Sequence, residues 1–159
     1  MIDLISEKNW PSISSIYEEG ITTGNATFEQ TVPSWEKWIS NKIRACSIYL
    51  TSEKEIIGWG ALSKISDREV YSGVAEVSVY IKKEFCKKGY GFQILQKIIE
   101  LSEENNIWTL QAGIFPENVA SINLHKKCGF RLIGRREKIG KMNDQWRDTV
   151  LMERRSELL

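Results

Sequence analysis

Residues 75–105 constrain the fold more than any other stretch of the chain. AEVSVYI at 75–81 alternates strictly: Val77, Val79 and Ile81 face one way, Glu76, Ser78 and Tyr80 the other. That is the period of a strand with one apolar face. After CKKGYG the period changes. Ile94, Leu95, Ile98, Ile99 and Leu101 recur at helical spacing and predict an amphipathic helix over about 91–105. A strand running through Gly89-x-Gly91 into a helix places both periods in one domain, the mark of a layered α/β chain.

The flanks extend this pattern. Trp10, Ile13, Ile16 and Tyr17 predict a first helix near 9–19, with Gly20 as its stop. Ser34 can cap a second helix carrying Trp35, Trp38 and Ile39. Strands are expected at 46–51 and 55–63 around a turn at Ser52-Glu53-Lys54. Another is expected at 109–115. A short helix follows from Asn118 to Lys127 with Gly129 behind it, then strands at 130–135 and 146–153. The expectation is one mixed α/β domain over 1–159, with a largely antiparallel sheet and flanking helices. Trp10, Trp35 and Trp38 read as core or dimer packing.

Composition narrows the partners. Lys plus Arg is 22 against 21 for Asp plus Glu, a net charge of +1. A dedicated nucleic-acid binder carries a strong basic excess, so no nucleic-acid partner is expected. No apolar run reaches the roughly 20 residues of a membrane span. The three cysteines are irregularly spaced and the N-terminus lacks a secretory pattern, which predicts a reducing cytoplasm. One histidine and scattered cysteines predict no metal site.

The glycine loop is suited to an anion. Glycines let backbone approach a ligand, a helix N-terminus offers free N–H groups, and Lys82, Lys83, Lys87 and Lys88 surround it. It is no dinucleotide fingerprint, because Ile94 stands where the third glycine belongs, and no stretch matches a P-loop. A plain strand-to-helix turn with solvated lysines stays open on this stretch alone.

Cys86-Lys87-Lys88-Gly89-Tyr90-Gly91 resembles the pyrophosphate loop [RQ]-x-x-G-x-[GA] of the GCN5-related N-acetyltransferase (GNAT) superfamily, with Cys86 in place of Arg or Gln. ATF at 26–28, AEVSVYI, PENVASINLHKKCGF at 116–130 and GRREKIGK…QWRD at 134–148 resemble one group within it. That group holds the phosphinothricin, methionine sulfoximine and arsinothricin-resistance acetyltransferases. The resemblance implies the GNAT fold, in which strands 75–81 and 109–115 splay apart. It implies acetyl-CoA as co-substrate, a small amine acceptor and a homodimer.

Residue by residue, it implies that Lys87, Lys88, Gly89, Tyr90, Gly91 and Phe92 seat the coenzyme A pyrophosphate. Backbone at Val79 and Ile81 would meet the pantetheine arm, as would Asn118 and Ser121, which share a helical face with His125. Ala120, Leu124 and Cys128 form a second stripe, read as core. Glu76 matches the proposed general base, with a salt-bridged strand residue as the bland alternative. His125 matches a proposed proton-transfer partner of that glutamate, and a satisfied structural histidine is the alternative. Cys86 lacks the neighbouring base an acyl-cysteine mechanism needs. Phe28, Arg68, Tyr71 and Lys141 are the acceptor-side candidates; Ser66 stands where the group often has Arg.

The expected activity is transfer of acetyl to the α-amino group of a small amino-acid-like acceptor. Acylation of a protein N-terminus or lysine is the alternative within enzymes, and a non-catalytic acyl-CoA sensor the alternative outside them.

Overall fold

Strict alternation at 75–81 becomes the fourth strand of a seven-stranded sheet in the computed structural model, which describes residues 1–159. In chain order the elements are β1 (Ile2–Leu4), α1 (Trp10–Thr22), α2 (Trp35–Ile39), β2 (Lys42–Ser52), β3 (Glu55–Lys64) and β4 (Val74–Ile81). Then come α3 (Tyr90–Glu104), β5 (Thr109–Ile114), α4 (Val119–Lys127), β6 (Arg131–Met142) and β7 (Gln145–Arg155). The strands lie in the order β1-β2-β3-β4-β5-β7-β6, and every neighbouring pair is antiparallel except β4 with β5. The expected mixed, largely antiparallel α/β architecture is the one observed.

Each face of the sheet has its own core. Ile94, Leu95, Ile98 and Ile99 of α3 pack with Leu62, Ala75 and Val77 on one side. Each fully buried aliphatic side chain there contributes roughly 1.5–3 kcal/mol. Gly58 and Gly60 let α3 lie close: a Cβ on Gly60 would stand 2.4 Å from Ile98. On the other side Ile13, Ile16 and Tyr17 of α1 and Trp38 of α2 pack against Trp59 and Ala61.

Several boundaries differ from expectation, and strand β2 begins at Lys42, four residues before the expected start at 46. Helix α1 runs through Gly20 to Thr22; a Cβ on Gly20 would stand 2.6 Å from the Tyr80 ring, so this glycine makes room for packing and does not end the helix. Strand β1 adds three residues, too few to leave a period in sequence, and pairs Ile2 with Leu50. Strand β6 extends to Met142 because Asn143 and Asp144, both at positive φ, turn it back into β7.

The parallel β4–β5 pairing is short. It covers Val74↔Thr109, Ala75↔Leu110 and Glu76↔Gln111, and stops. Beyond it, Val77 to Ile81 pair only with β3, while Ala112 to Ile114 pair only with β7. The sheet forks at Glu76.

Candidate active site

A row of polar side chains crosses the sheet at the vertex of the fork. Lys42 pairs with Ser63, Ser63 with Glu76 and Glu76 with Gln111. Directly paired residues point to the same side of a sheet, here the side of α1. All four line one cavity of about 410 Å³, together with Tyr17 from α1, Thr27 and Glu29 from the following loop, and Ser78 and Tyr80 from β4. Glu76 is exposed to this space and makes no ion pair. A hollow of about 420 Å³ beside Trp10 and Pro33, outside α1, has Glu18 as its sole titratable group and lies apart from this chemistry.

The cavity wall is electrostatically mixed. The Lys42 ammonium lies 2.7 Å from Ser63 Oγ and 5.4 Å from the centroid of the Trp38 ring. Burial holds its pKa below the usual lysine value, while Glu76 and Glu29 pull it upward. Burial raises the Tyr80 and Tyr17 phenols, so both stay protonated. Tyr80 is also packing: its ring stacks on Trp59 at 4.6 Å and meets Tyr17 edge-on at 5.0 Å.

The glycine loop lies beyond the C-terminal end of β4. Lys87 has φ 62°, and Gly89, with φ 85°, caps α3 at its N-terminus. The helix ladder begins with Gln93 N donating to Gly89 O, which leaves the N–H groups of Tyr90, Gly91 and Phe92 without helical partners. A Cβ on Gly89 would meet nothing, so its constraint is φ alone; one on Gly91 would stand 3.2 Å from Leu124 of α4. Lys87 and Lys88 are exposed, with the Lys88 ammonium 5.1 Å from the centroid of the Phe85 ring. Phe92 has Lys127 above its ring at 4.7 Å. Lys82 belongs elsewhere, paired with Glu55 and Glu84. The Cys86 thiol lies 3.7 and 3.6 Å from the carbonyls of Ile81 and Lys82; burial raises its pKa, the reverse of an activated nucleophile.

Helix α4 keeps most of its predicted core stripe: Cys128 is buried in the core and Leu124 packs against it. Asn118 is its N-cap, accepting from Ser121 N at 3.2 Å and donating to Asn25 O at 3.1 Å. Ala120, expected in the core, is exposed, whereas His125 is 4% exposed and packs edge-on against Phe130. Its Nδ1 lies 2.7 Å from Ser121 O. A carbonyl can only accept, so Nδ1 carries a proton. Nε2 is buried without a partner, and burial lowers the pKa. His125 does not line the cavity that holds Glu76.

Of the acceptor-side candidates, none lines that cavity. Phe28 packs edge-on against Phe115 at 4.8 Å and over Gly140. The Arg68 guanidinium lies 5.3 Å from the Tyr71 ring on the exposed β3–β4 loop, and the Lys141 ammonium lies 4.8 Å from the Trp146 ring on the β6–β7 hairpin. Residues that sequence reasoning did not single out do line it, among them Lys42, Lys64, Ser63, Gln111 and Glu29, beside Thr27 of the quoted ATF. Lys42, Ser63 and Gln111 share one signal, strand register, which no single strand's pattern contains; Thr27 and Glu29 come from the loop after α1. Arg147, within the quoted QWRD, fastens the loop that brings Thr27 and Glu29 there. It donates to Gly24 O at 2.7 Å and Asn25 Oδ1 at 2.9 Å, and stacks 3.9 Å from the Phe115 centroid. No group of three or more His, Cys, Asp or Glu side chains is gathered as for a metal, and no helix is long and apolar enough to cross a membrane.

Comparison with known proteins bears on this arrangement. The chain is 28% identical over 149 residues to the L-methionine sulfoximine/L-methionine sulfone acetyltransferase of Pseudomonas aeruginosa, covering 90% of this chain and 87% of that one. The crystal structure of a GNAT superfamily phosphinothricin acetyltransferase from Sinorhizobium meliloti, in complex with acetyl-CoA, superposes with a TM-score of 0.87 at 26% identity, covering 98% and 87% of the two chains. That of a ribosomal-protein-alanine N-acetyltransferase from Brucella melitensis superposes with a TM-score of 0.89 at 25% identity, covering 98% and 99%. Residues 2–151 match the acetyltransferase (GNAT) domain family. With that match spanning almost all of the sheet, fork and glycine loop, the chain belongs to the GNAT acetyltransferase family.

Proposed function

We propose that this enzyme moves acetyl from acetyl-CoA to the α-amino group of a small amino-acid-like acceptor, with Glu76 as general base. One observation carries the reading: a carboxylate without an ion-pair partner stands at the vertex of the sheet fork and faces a polar cavity of about 410 Å³. That volume lies toward the small end of ligand pockets, about 300–1,000 Å³. The names of the sulfoximine and phosphinothricin relatives support the acceptor class.

In this reading the loop from Lys87 to Phe92 holds the pyrophosphate by backbone N–H groups and the Lys87 and Lys88 charges. The free β4 edge at Val79 and Ile81 receives the pantetheine amides as an added strand would. Asn118 and Ser121 flank that arm from α4. Glu76 takes the proton of the acceptor ammonium, directly or through one water. The amine then attacks the thioester carbon, and backbone N–H near Val79 or Tyr80 polarises the carbonyl. The C–N bond forms, the C–S bond breaks, and the second proton of the attacking nitrogen passes to the leaving thiolate, directly or through solvent; with a thiol pKa near 8.5 that thiolate needs little acid help. Holding two substrates together supplies most of the acceleration. No metal takes part.

His125, neutral and buried, suits the structural alternative. Phe28 acts by holding the loop of Thr27 and Glu29 in place. Arg68, Tyr71 and Lys141 are not needed for acceptor contact. The enzyme works in the cytoplasm as a homodimer; the exposed Leu132, Ile133, Ile139 and Trp146 along β6 and β7 support that state. A monomer mass by light scattering at micromolar concentration would remove it.

The deciding test is thiol release from acetyl-CoA with a panel of acceptors. The panel holds L-methionine sulfone, L-methionine sulfoximine, phosphinothricin, arsinothricin, the common amino acids and short peptides. Small acceptors should react, and Glu76→Gln should lower turnover by roughly 10²–10⁴-fold with acetyl-CoA affinity intact. Wild-type turnover in that variant would overturn the role of Glu76. Reaction with peptides alone would favour the protein acetyltransferase reading, to which the name of the Brucella neighbour points. Tight acetyl-CoA binding with no transfer to any amine would favour a sensor.

A further inference from the structure

We infer that Lys42 anchors the acceptor's α-carboxylate, and so makes this cavity select amino acids over amines that lack one. The inference rests on the acetyl-transfer reading above and names the substrate class of that same site.

Lys42 and Glu76 are the charged ends of the segment Lys42–Ser63–Glu76. Neighbouring strands lie about 4.8 Å apart, so the two backbones stand roughly 10 Å apart on one side of the sheet. Both side chains open into the same cavity. The ammonium has three donors. One points at Ser63 Oγ, and the stem packs toward Trp38. No carboxylate oxygen lies within 4.0 Å of it, although Glu76 and Glu29 are near enough to act on it through space. A half-buried cation with spare donors and no counter-ion is costly to hold. A ligand carboxylate would supply both the charge and the acceptors.

An α-amino acid carries a partner for each of these two groups. Its ammonium and carboxylate hang from one carbon, so a single molecule can give its nitrogen to Glu76 and its carboxylate to Lys42. A simple amine would leave Lys42 as it stands. The competing role is that Lys42 serves only as a distant counter-charge to Glu76. The two roles separate on one chemical change in the acceptor. A counter-charge acts alike on every amine, whereas an anchor acts only on acceptors with the carboxylate.

The experiment compares each amino-acid acceptor of the panel with its own α-carboxamide, L-methionine sulfone first, in wild type and in Lys42→Met. The expected result is a kcat/KM for the acid that falls about 10–100-fold in the variant, the loss of one charge-assisted bond. The carboxamide should lose clearly less than the acid, only the share that removing a charge near Glu76 takes from every acceptor, and the acetyl-CoA KM should change by less than about twofold. Lys42→Arg should recover part of the acid activity. Lys42→Gln gives the same ratio should the methionine variant fold poorly. An equal loss for acid and carboxamide would overturn the anchor and leave the counter-charge; no loss for either would overturn both. Absence of transfer to any acid or carboxamide by wild type, with acetyl-CoA still bound, would sink the acetyl-transfer reading and this inference with it.

Discussion

Glu76 and His125 are both titratable side chains in unusual places, and their surroundings differ sharply. Glu76 is open to a cavity and can exchange a proton with what enters. His125 is closed in, its Nδ1–H given to Ser121 O and its Nε2 facing protein. Burial lowers its pKa, so the folded state disfavours the imidazolium. The unfolded imidazole titrates near 6.5. Between that value and the lower folded one the unfolded chain binds more protons, so stability is full above about 6.5 and is lost as pH falls through the window. Urea midpoints should therefore decline from pH 8 toward pH 5.5 in wild type, and His125→Phe should flatten that decline while keeping the contact with Phe130. Turnover of His125→Phe at pH 8 should stay within about tenfold of wild type, the low edge of acid–base effects being about 10². A loss beyond that, with the fold intact, would return His125 to the chemistry. Sequence made Glu76 legible because strict alternation puts it on the polar side of a strand. It left His125 ambiguous, because i, i+3, i+7 spacing groups residues on a face without saying which face is inside. Lys42 was silent for a different reason: its meaning lies in pairing with Ser63, and pairing is a property of two strands.

At the scale of elements, the strand–loop–helix unit from β4 to α3 was legible to within a residue, because both periods are strong and the change between them is abrupt. Of the β6–β7 hairpin, β7 and the start of β6 were legible and the outer part of β6 was not. The stretch from Arg136 to Ile139 is exposed and polar enough to read as loop, and only the Asn143-Asp144 turn fixes the length of the strand. The two loop glycines predict separable defects. Gly89 holds φ 85° in open space, so Gly89→Val costs about 1–2 kcal/mol of backbone strain or moves the loop N–H groups out of place. Acetyl-CoA affinity should drop at least about tenfold by calorimetry, with little change in thermal midpoint if the loop simply shifts. Gly91→Val meets Leu124 instead, so it should lower the thermal midpoint along with affinity. Unchanged affinity in both variants would remove the pyrophosphate assignment from this loop.

At the scale of the whole molecule, the fork makes the sheet two half-sheets, β1 to β4 and β5 to β7, joined through only three register pairs. Other ties exist, such as Arg154 to Glu103 at 3.1 Å and Ser156 Oγ to the same carboxylate at 2.9 Å, and they bind β7's end to α3, away from the open edges. The facing edges of Val77 to Ile81 and Ala112 to Ile114 have no partner strand between them, although Val77, Ala112 and Ile114 are buried in the core. A ligand lying between them joins the halves. Acetyl-CoA at 100 times its Kd should stabilise the fold by about 2.7 kcal/mol, which for a chain of this size raises the thermal midpoint by about 5–11 °C. Any site on the native state would give that shift, so the location decides. If acetyl-CoA lies in the fork, slowed amide exchange should concentrate at Val77 to Ile81 and in the first turn of α3. The edge strand β6, far from the fork, should change little. A midpoint shift with protection elsewhere would move the co-substrate out of the fork, and with it the reason for placing the chemistry at Glu76.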